Sequence, residues 1–138
     1  MDVEGGKPEA VGPADFEGIA VAKDGKRIVG RSTAGEVEIF DKERQKAEVV
    51  PGITAKDWVD KWTSDGEALL TTQSTPWEAE VYRVEVRTGR RELLRKVELT
   101  DRAGSAMNLA VWYADESKTY VYAARRIMCS LYVVEGVE

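Results

Sequence analysis

There is no histidine anywhere in this 138-residue chain. That absence removes Ser-His-Asp and Cys-His nucleophilic catalysis, and every imidazole-ligated metal centre. A single cysteine, Cys129, excludes an intrachain disulfide and a thiolate zinc cluster. It falls in the last strand-forming stretch, beside Arg125 and Arg126, where a small buried apolar residue is expected rather than a reactive thiol. No apolar run approaches the roughly 20 residues of a membrane-spanning helix. The opening MDVEGGKPEAVGP is acidic and rich in Gly and Pro, unlike a secretory leader. Basic residues are outnumbered, 20 Lys and Arg against 25 Asp and Glu, for a net charge of −5. That balance argues against binding a nucleic-acid backbone, which needs clustered positive charge. Helical periodicity is missing too. No stretch of about ten residues keeps a 3.6-residue apolar spacing without a Gly or a turn signal.

What is present is a strand-turn-strand cassette in three copies. It reads VAKDGKRIV from Val21, WTSDGEALL from Trp62 and WYADESKTY from Trp112, at intervals of 41 and 50 residues. Each copy has an apolar strand, an Asp-led turn and a second apolar strand. Repeats of roughly 40–50 residues built from four short strands are the pattern of propeller blades. The composition, 43% hydrophobic and 33% charged, is that of an ordinary globular domain, and the length bounds it at one.

The expected strands follow from period-two alternation and from Gly and Pro punctuation. In the first blade, about 16–50, they are Phe16–Ala22, Lys26–Arg31, Glu36–Phe40 and Ala47–Val50. Asp24-Gly25 closes a tight hairpin whose residues tolerate positive φ. Residues 41–48 contain helix formers, but a polar hairpin loop fits better. In the second blade, about 58–97, the strands are Trp58–Thr63, Glu67–Thr72, Ala79–Val86 and Arg91–Val97, with Asp65-Gly66 as the matching hairpin. In the third, about 106–134, they are Ala106–Tyr113, Thr119–Arg125 and Ser130–Val134, with no fourth. The third turn departs from the pattern, since Asp115-Glu116 replaces Asp-Gly. The fold class expected is all-β, a partial β-propeller of about three four-stranded antiparallel blades, the last lacking its outer strand.

Four segments carry a family resemblance. They are PGITAKDWVDKWTSDGEALL (Pro51–Leu70), VYRVEVRTGRREL (Val81–Leu93), DRAG (Asp101–Gly104) and YVYAARRIMCSLYVVEG (Tyr120–Gly136). Together they resemble the C-terminal part of TolB-like, WD-repeat-like β-propellers fused behind bacterial eukaryotic-type serine/threonine protein kinases. In that family the last blade ends in a Tyr-rich strand and a Leu-Tyr-apolar-apolar-Glu-Gly terminus. Tyr120, Tyr122, Leu131, Tyr132, Glu135 and Gly136 match it. The resemblance implies a non-catalytic sensing or protein-binding module, held outside the cytoplasm where a membrane helix precedes it. No kinase activity carries over. The chain has no Gly-rich phosphate loop with its strand Lys, no His-Arg-Asp loop and no Asp-Phe-Gly.

Three blades are too few for an ordinary ring. Either the chain is a fragment, or two copies form a six-bladed ring in which Lys7–Val11 of one completes the third blade of the other. Exposed edges favour self-association.

The candidate binding residues lie in the connections that would ring the channel mouth: Asp15, Glu17, Asp57, Asp60, Asp101 and Arg102. Five of these six are acidic, so a cationic peptide or a metal ion is conceivable, and the alternative is a solvated rim. Trp77 follows Pro76 in a loop with no repeat counterpart, and either meets a partner or packs locally. The four tryptophans together could form a recognition surface. Trp62 and Trp112 occupy equivalent cassette positions and are expected between blades. Arg87, Arg90, Arg91 and Arg95 cluster at one hairpin, read as a solvated edge that blocks strand pairing. The Asp-Gly turns lack the further oxygen ligands of a Ca²⁺ loop, so no metal and no cofactor is expected. Paired carboxylates of the glycosidase type have no supporting spacing.

The function expected is a non-catalytic interaction or sensor module, not an enzyme, whose protein or peptide partner the sequence does not identify. Two alternatives stand beside it. One is the propeller part of a prolyl-oligopeptidase-like hydrolase with its catalytic domain elsewhere. The other is a purely structural repeat protein without ligand.

Overall fold

The computed structural model describes residues 10–130. Among them there is no helix. Ten strands form three antiparallel sheets of four, four and two strands, none closed on itself. Sheet 1 contains β1 (Phe16–Val21), β2 (Arg27–Ser32), β3 (Val37–Asp41) and β4 (Lys46–Val49). Sheet 2 contains β5 (Trp58–Trp62), β6 (Ala68–Ser74), β7 (Glu78–Glu85) and β8 (Arg91–Glu98). Sheet 3 contains β9 (Ala110–Ala114) and β10 (Thr119–Ala123). Within each sheet the strands neighbour one another in chain order. Every connection inside a sheet is therefore a hairpin, the simplest outcome for alternating segments broken by short turns.

The sheets stack on their faces. One apolar cluster lies between sheets 1 and 2, where Val29 and Val37 meet Val59, Trp62 and Leu69. A second lies between sheets 2 and 3, where Ala79, Val81 and Val97 meet Leu109 and Val111. Sheet 2 is thus covered on both sides. Its central strand β6 consequently reads as a continuous apolar and Thr run, with Ala68, Leu69, Leu70 and Thr71 all buried. First strands adjoin across the stack, β1 against β5, while β9 lies against β6 and β7.

The two Asp-Gly hairpins are superimposable in their bonding. The Ala22 N–H donates to Arg27 O at 2.8 Å and the Thr63 N–H to Ala68 O at 2.9 Å. Inside each loop, Gly25 and Gly66 sit at φ of 70° and 71°, and their N–H groups return to Ala22 O and Thr63 O. The aspartates do not adopt positive φ. Each instead accepts the N–H two residues on, Asp24 from Lys26 and Asp65 from Glu67, both at 2.9 Å. These are four-residue loops, longer than the two-residue hairpin the dipeptide suggests.

The third hairpin belongs to another class. Ala114 pairs with Thr119 around four residues, and the positive φ falls on the fourth, Lys118, at 53°. The β3–β4 loop places Gln45 in the same way, at 52°. Residues 41–48 accordingly form a hairpin, as expected.

This closing pair corrects the cassette alignment. The residues preceding the closing positions are Val21, Trp62 and Tyr113, so the counterpart of Trp62 is Tyr113 and not Trp112. Tyr113 packs on sheet 2 with Val111, whereas Trp112 is 59% exposed. Trp62 is buried as expected; its indole N–H reaches Ala20 O at 3.3 Å and Arg27 lies over its ring at 4.8 Å. Successive side chains of a strand point to opposite faces, so a one-residue offset sends Trp112 outward.

Three other expectations change. The first strand of sheet 3 starts at Ala110 rather than Ala106, because the Leu109 N–H is drawn to Thr75 O at 2.8 Å. Cys129 is exposed, since it lies past the Ser105–Arg126 bridge where no other sheet covers the chain. Ser130 is in no strand, and the rest of the expected strand Ser130–Val134 lies outside the described residues. Of Lys7–Val11, only Ala10 and Val11 are described, and neither is in a strand.

Candidate functional site

Asp57 opens β5 from a connection whose local sequence, Thr54 to Asp57, forms a turn closed on itself. The Asp57 N–H donates to Thr54 O at 3.0 Å, and the Thr54 N–H and hydroxyl donate back to Asp57 Oδ2 at 2.7 and 2.8 Å. Asp57 is 2% exposed. Gln73 of β6 donates to Oδ1 at 3.0 Å, and Arg91 of β8 grips both oxygens. Burial acts to raise the Asp57 pKa, but the hydrogen bonds from Arg91, Thr54 and Gln73 outweigh it and hold the carboxyl at about 2. With its lone pairs taken, Asp57 positions the start of β5 rather than offering an acceptor to solvent.

What it positions is a cleft of about 530 Å³ along the edges of β5 and β9 that carry no partner strand among the described residues. One wall carries Trp58, Asp60, Thr72 and Ser74 from sheet 2; the other carries residues 108–112. Arg31 and Lys56 also line it. Trp58 is 72% exposed, and Trp112 borders the cleft from the face of β9 turned away from sheet 2.

Asp60 enters the cleft because of a β-bulge. The register passes from Val59–Thr71 to Lys61–Leu70, leaving Asp60 unpaired on β5. Sheet 1 carries the same irregularity at Ile19 of β1, 41 residues earlier. Asp60 is half-buried and accepts the Thr72 hydroxyl at 2.6 Å. Burial pushes its carboxyl above the usual range, opposed by the Thr72 bond and by the charge of Lys61.

The remaining expected site residues fall in two other places. Asp15 and Glu17 are exposed around a shallow hollow at the start of β1. Arg31 borders both that hollow and the cleft, and its two nitrogens donate to Gly35 O at 2.8 Å and Asp57 O at 3.2 Å. Asp101, Arg102 and Trp77 cluster at the end of sheet 2. Arg102 lies over the Trp77 ring at 5.8 Å, and Asp101 pairs with Arg126 at 2.7 Å. Trp77 therefore has a local packing partner and keeps 39% exposure. The rim read as continuous is three separate patches, of which only Asp57 and Asp60 meet at the cleft.

The arginine cluster also divides. Arg91 is fixed on Asp57, and Arg95 stacks over Tyr120 at 4.5 Å while donating to its hydroxyl at 3.0 Å, a link between sheets 2 and 3. Arg87, Arg90 and Arg95 are exposed, as a solvated edge requires, and only Arg91 is drawn inward.

Sequence reasoning missed Arg31, Lys56 and Asn108 as cleft residues and weighed Trp58 only as one of four tryptophans of a recognition surface. The signal available for it was an aromatic residue two positions before Asp60, itself a candidate. Among the described residues no group of three Asp, Glu or Cys is placed to hold a metal ion. Among the described residues there is no helix long and apolar enough to cross a membrane. No family model matches the chain, and no curated protein is significantly similar to it.

Proposed function

We propose that this chain is a non-catalytic interaction module of propeller type, and that it binds its ligand in the cleft between β5 and β9. The observation that carries this reading is the cleft itself. An exposed indole, Trp58, and a half-buried carboxylate, Asp60, share one concave surface beside the Asp57–Arg91 clasp. Three consecutive sheets stacked on their faces, with equivalent bulges in β1 and β5, support the propeller part of the proposal. So do the two matching Asp-Gly loops. The resemblance to kinase-fused TolB-like propellers points the same way, toward a sensor domain displayed outside the cytoplasm. The missing histidine argues against an enzyme of triad type.

Self-association belongs to the same proposal. Among the described residues, β10 has no partner strand on its outer side, and the face it shares with β9 leaves Val121 at 67% and Trp112 at 59% exposure. Such an edge invites a strand from another copy.

The site is tested by amide chemical-shift mapping against a mixed panel of short peptides, oligosaccharides and small cations. Saturable shifts centred on Trp58, Asp60, Asn108 and Trp112 are expected. Shifts confined to the Asp101–Arg102–Trp77 cluster, or none from any member, would remove the cleft as the binding site.

A further inference from the structure

We propose that the cleft takes a neutral, polyhydroxylated ring, a saccharide unit, stacked on an exposed indole and hydrogen-bonded by Asp60. This rests on the binding-module reading and adds the chemistry of the ligand.

Charge decides against ligands of a single sign. Asp60, Arg31 and Lys56 all line the same cleft. Arg31 donates to two carbonyls, Gly35 O and Asp57 O, and has no carboxylate partner among the described residues. A cation drawn to Asp60 meets Arg31 and Lys56, and an anion drawn to those two meets Asp60. Hydroxyl groups satisfy both signs, because each donates to a carboxylate and accepts from an ammonium or an amide N–H.

Shape decides against an extended peptide. A peptide added as a strand needs a regular edge to read. The bulge at Asp60 breaks the register in the middle of β5 and sets a charged side chain there, a combination that protects an edge from pairing.

The exposed indole then finds its use. Trp58 is 72% exposed and lines this cleft, while Trp112 borders it from the face of β9 turned away from sheet 2. An indole face is a rigid apolar platform whose ordering costs little entropy. A sugar ring offers the matching surface, a face of C–H groups rimmed by hydroxyls. On the hydrogen-bonding side, Asp60 Oδ2 is taken by Thr72, while Oδ1 has no protein donor among the described residues. Asn108 and Ser74 add an amide and a hydroxyl nearby. A cleft of about 530 Å³ lies within the ordinary range of small-ligand sites.

The test is a titration followed by tryptophan fluorescence and by saturation-transfer NMR. The probes are maltotriose, cellotriose, chitotriose, tetramethylammonium and an extended pentapeptide. At least one trisaccharide should give a saturable change. Trp58→Ala should weaken it by about tenfold, Asp60→Asn should weaken it severalfold, and Trp77→Ala should leave it unchanged. Because Trp58 is exposed and Asp60 half-buried, circular dichroism of these variants should match the parent. No saturable response to any of the three sugars overturns the proposal. A response to tetramethylammonium or to the peptide, lost on the same substitutions, also overturns it while keeping the cleft as a binding site. Silence from every probe removes both.

Discussion

The guanidinium of Arg91 meets the carboxylate of Asp57 through two parallel hydrogen bonds, Nη1 to Oδ2 at 2.8 Å and Nη2 to Oδ1 at 2.9 Å. Thirty-four residues of chain separate them. The pair ties the entry of β5 to the entry of β8, across the width of sheet 2, and Arg91 also lies over the Tyr82 ring at 4.3 Å. Removing one partner leaves the other unpaired. Arg91→Ala strands a buried carboxylate and should cost about 3–5 kcal/mol in urea unfolding. Asp57→Ala alone should cost a similar amount, and the double variant less than the sum. Additive effects would show that the two groups are not coupled.

The same pair sets a pH dependence. The Asp57 carboxyl is held at about 2 in the fold, below its ordinary 3.8. A depressed carboxylate contributes stability that is complete above its unfolded pKa and is lost as pH falls through the folded one. Stability should therefore decline between about pH 4 and pH 2, by about 2 kcal/mol from this group. Urea midpoints measured across that range should fall for the parent and fall less for Asp57→Asn. Equal slopes for both would assign the acid sensitivity elsewhere.

Trp62 and Trp112 test the corrected register. Trp62 fills the contact between sheets 1 and 2, so Trp62→Ala should cost about 3–5 kcal/mol. Trp112 is 59% exposed on the face of sheet 3 turned away from sheet 2, so Trp112→Ala should change stability by no more than about 0.5 kcal/mol. Comparable losses at both positions would restore the alignment by letter and contradict the exposed placement.

Gly25 and Gly89 separate backbone strain from close approach. Both have positive φ, at 70° and 72°. Around Gly25 nothing lies within 4 Å of an added methyl group, so Gly25→Ala should cost only the left-handed backbone penalty, about 1–2 kcal/mol. At Gly89 the methyl carbon would sit 2.8 Å from the Pro51 carbonyl carbon, because the β7–β8 loop presses on the linker between sheets 1 and 2. Gly89→Ala should cost about 1–3 kcal/mol more than Gly25→Ala. Equal thermal shifts would mean that the linker yields freely.

Self-association has a direct readout. Light scattering across a tenfold dilution series should give twice the chain mass at the concentrated end. The amides of β10 should exchange hydrogen faster as dilution separates the copies. A single-chain mass throughout would remove the self-association proposed at the β10 edge.

Most strands were legible because each obeys a local rule. Val37 and Ile39 against Glu36 and Glu38, or Asp24-Gly25 between two apolar runs, need nothing distant to be read. The site was less legible. Asp57 and Asp60 share one short stretch of charged and aromatic residues, yet one is saturated by Arg91 and the other stands open in a cleft. That difference depends on Gln73, Thr72 and Arg91, which arrive from later strands. Trp62 and Trp112 look alike in the cassette, and only the hairpin-closing pair Ala114–Thr119 shows which face each takes.

The chain's own letters determined the all-β class, the hairpin order and the exclusion of histidine chemistry, because alternation, turn residues and composition act over a few neighbours. Tertiary structure alone decided which charges are paired, which indoles meet water and where the cleft lies. Those outcomes depend on register and on sheets stacking across 30 to 50 residues of sequence, distances at which a one-residue offset leaves the local pattern intact and reverses every side chain.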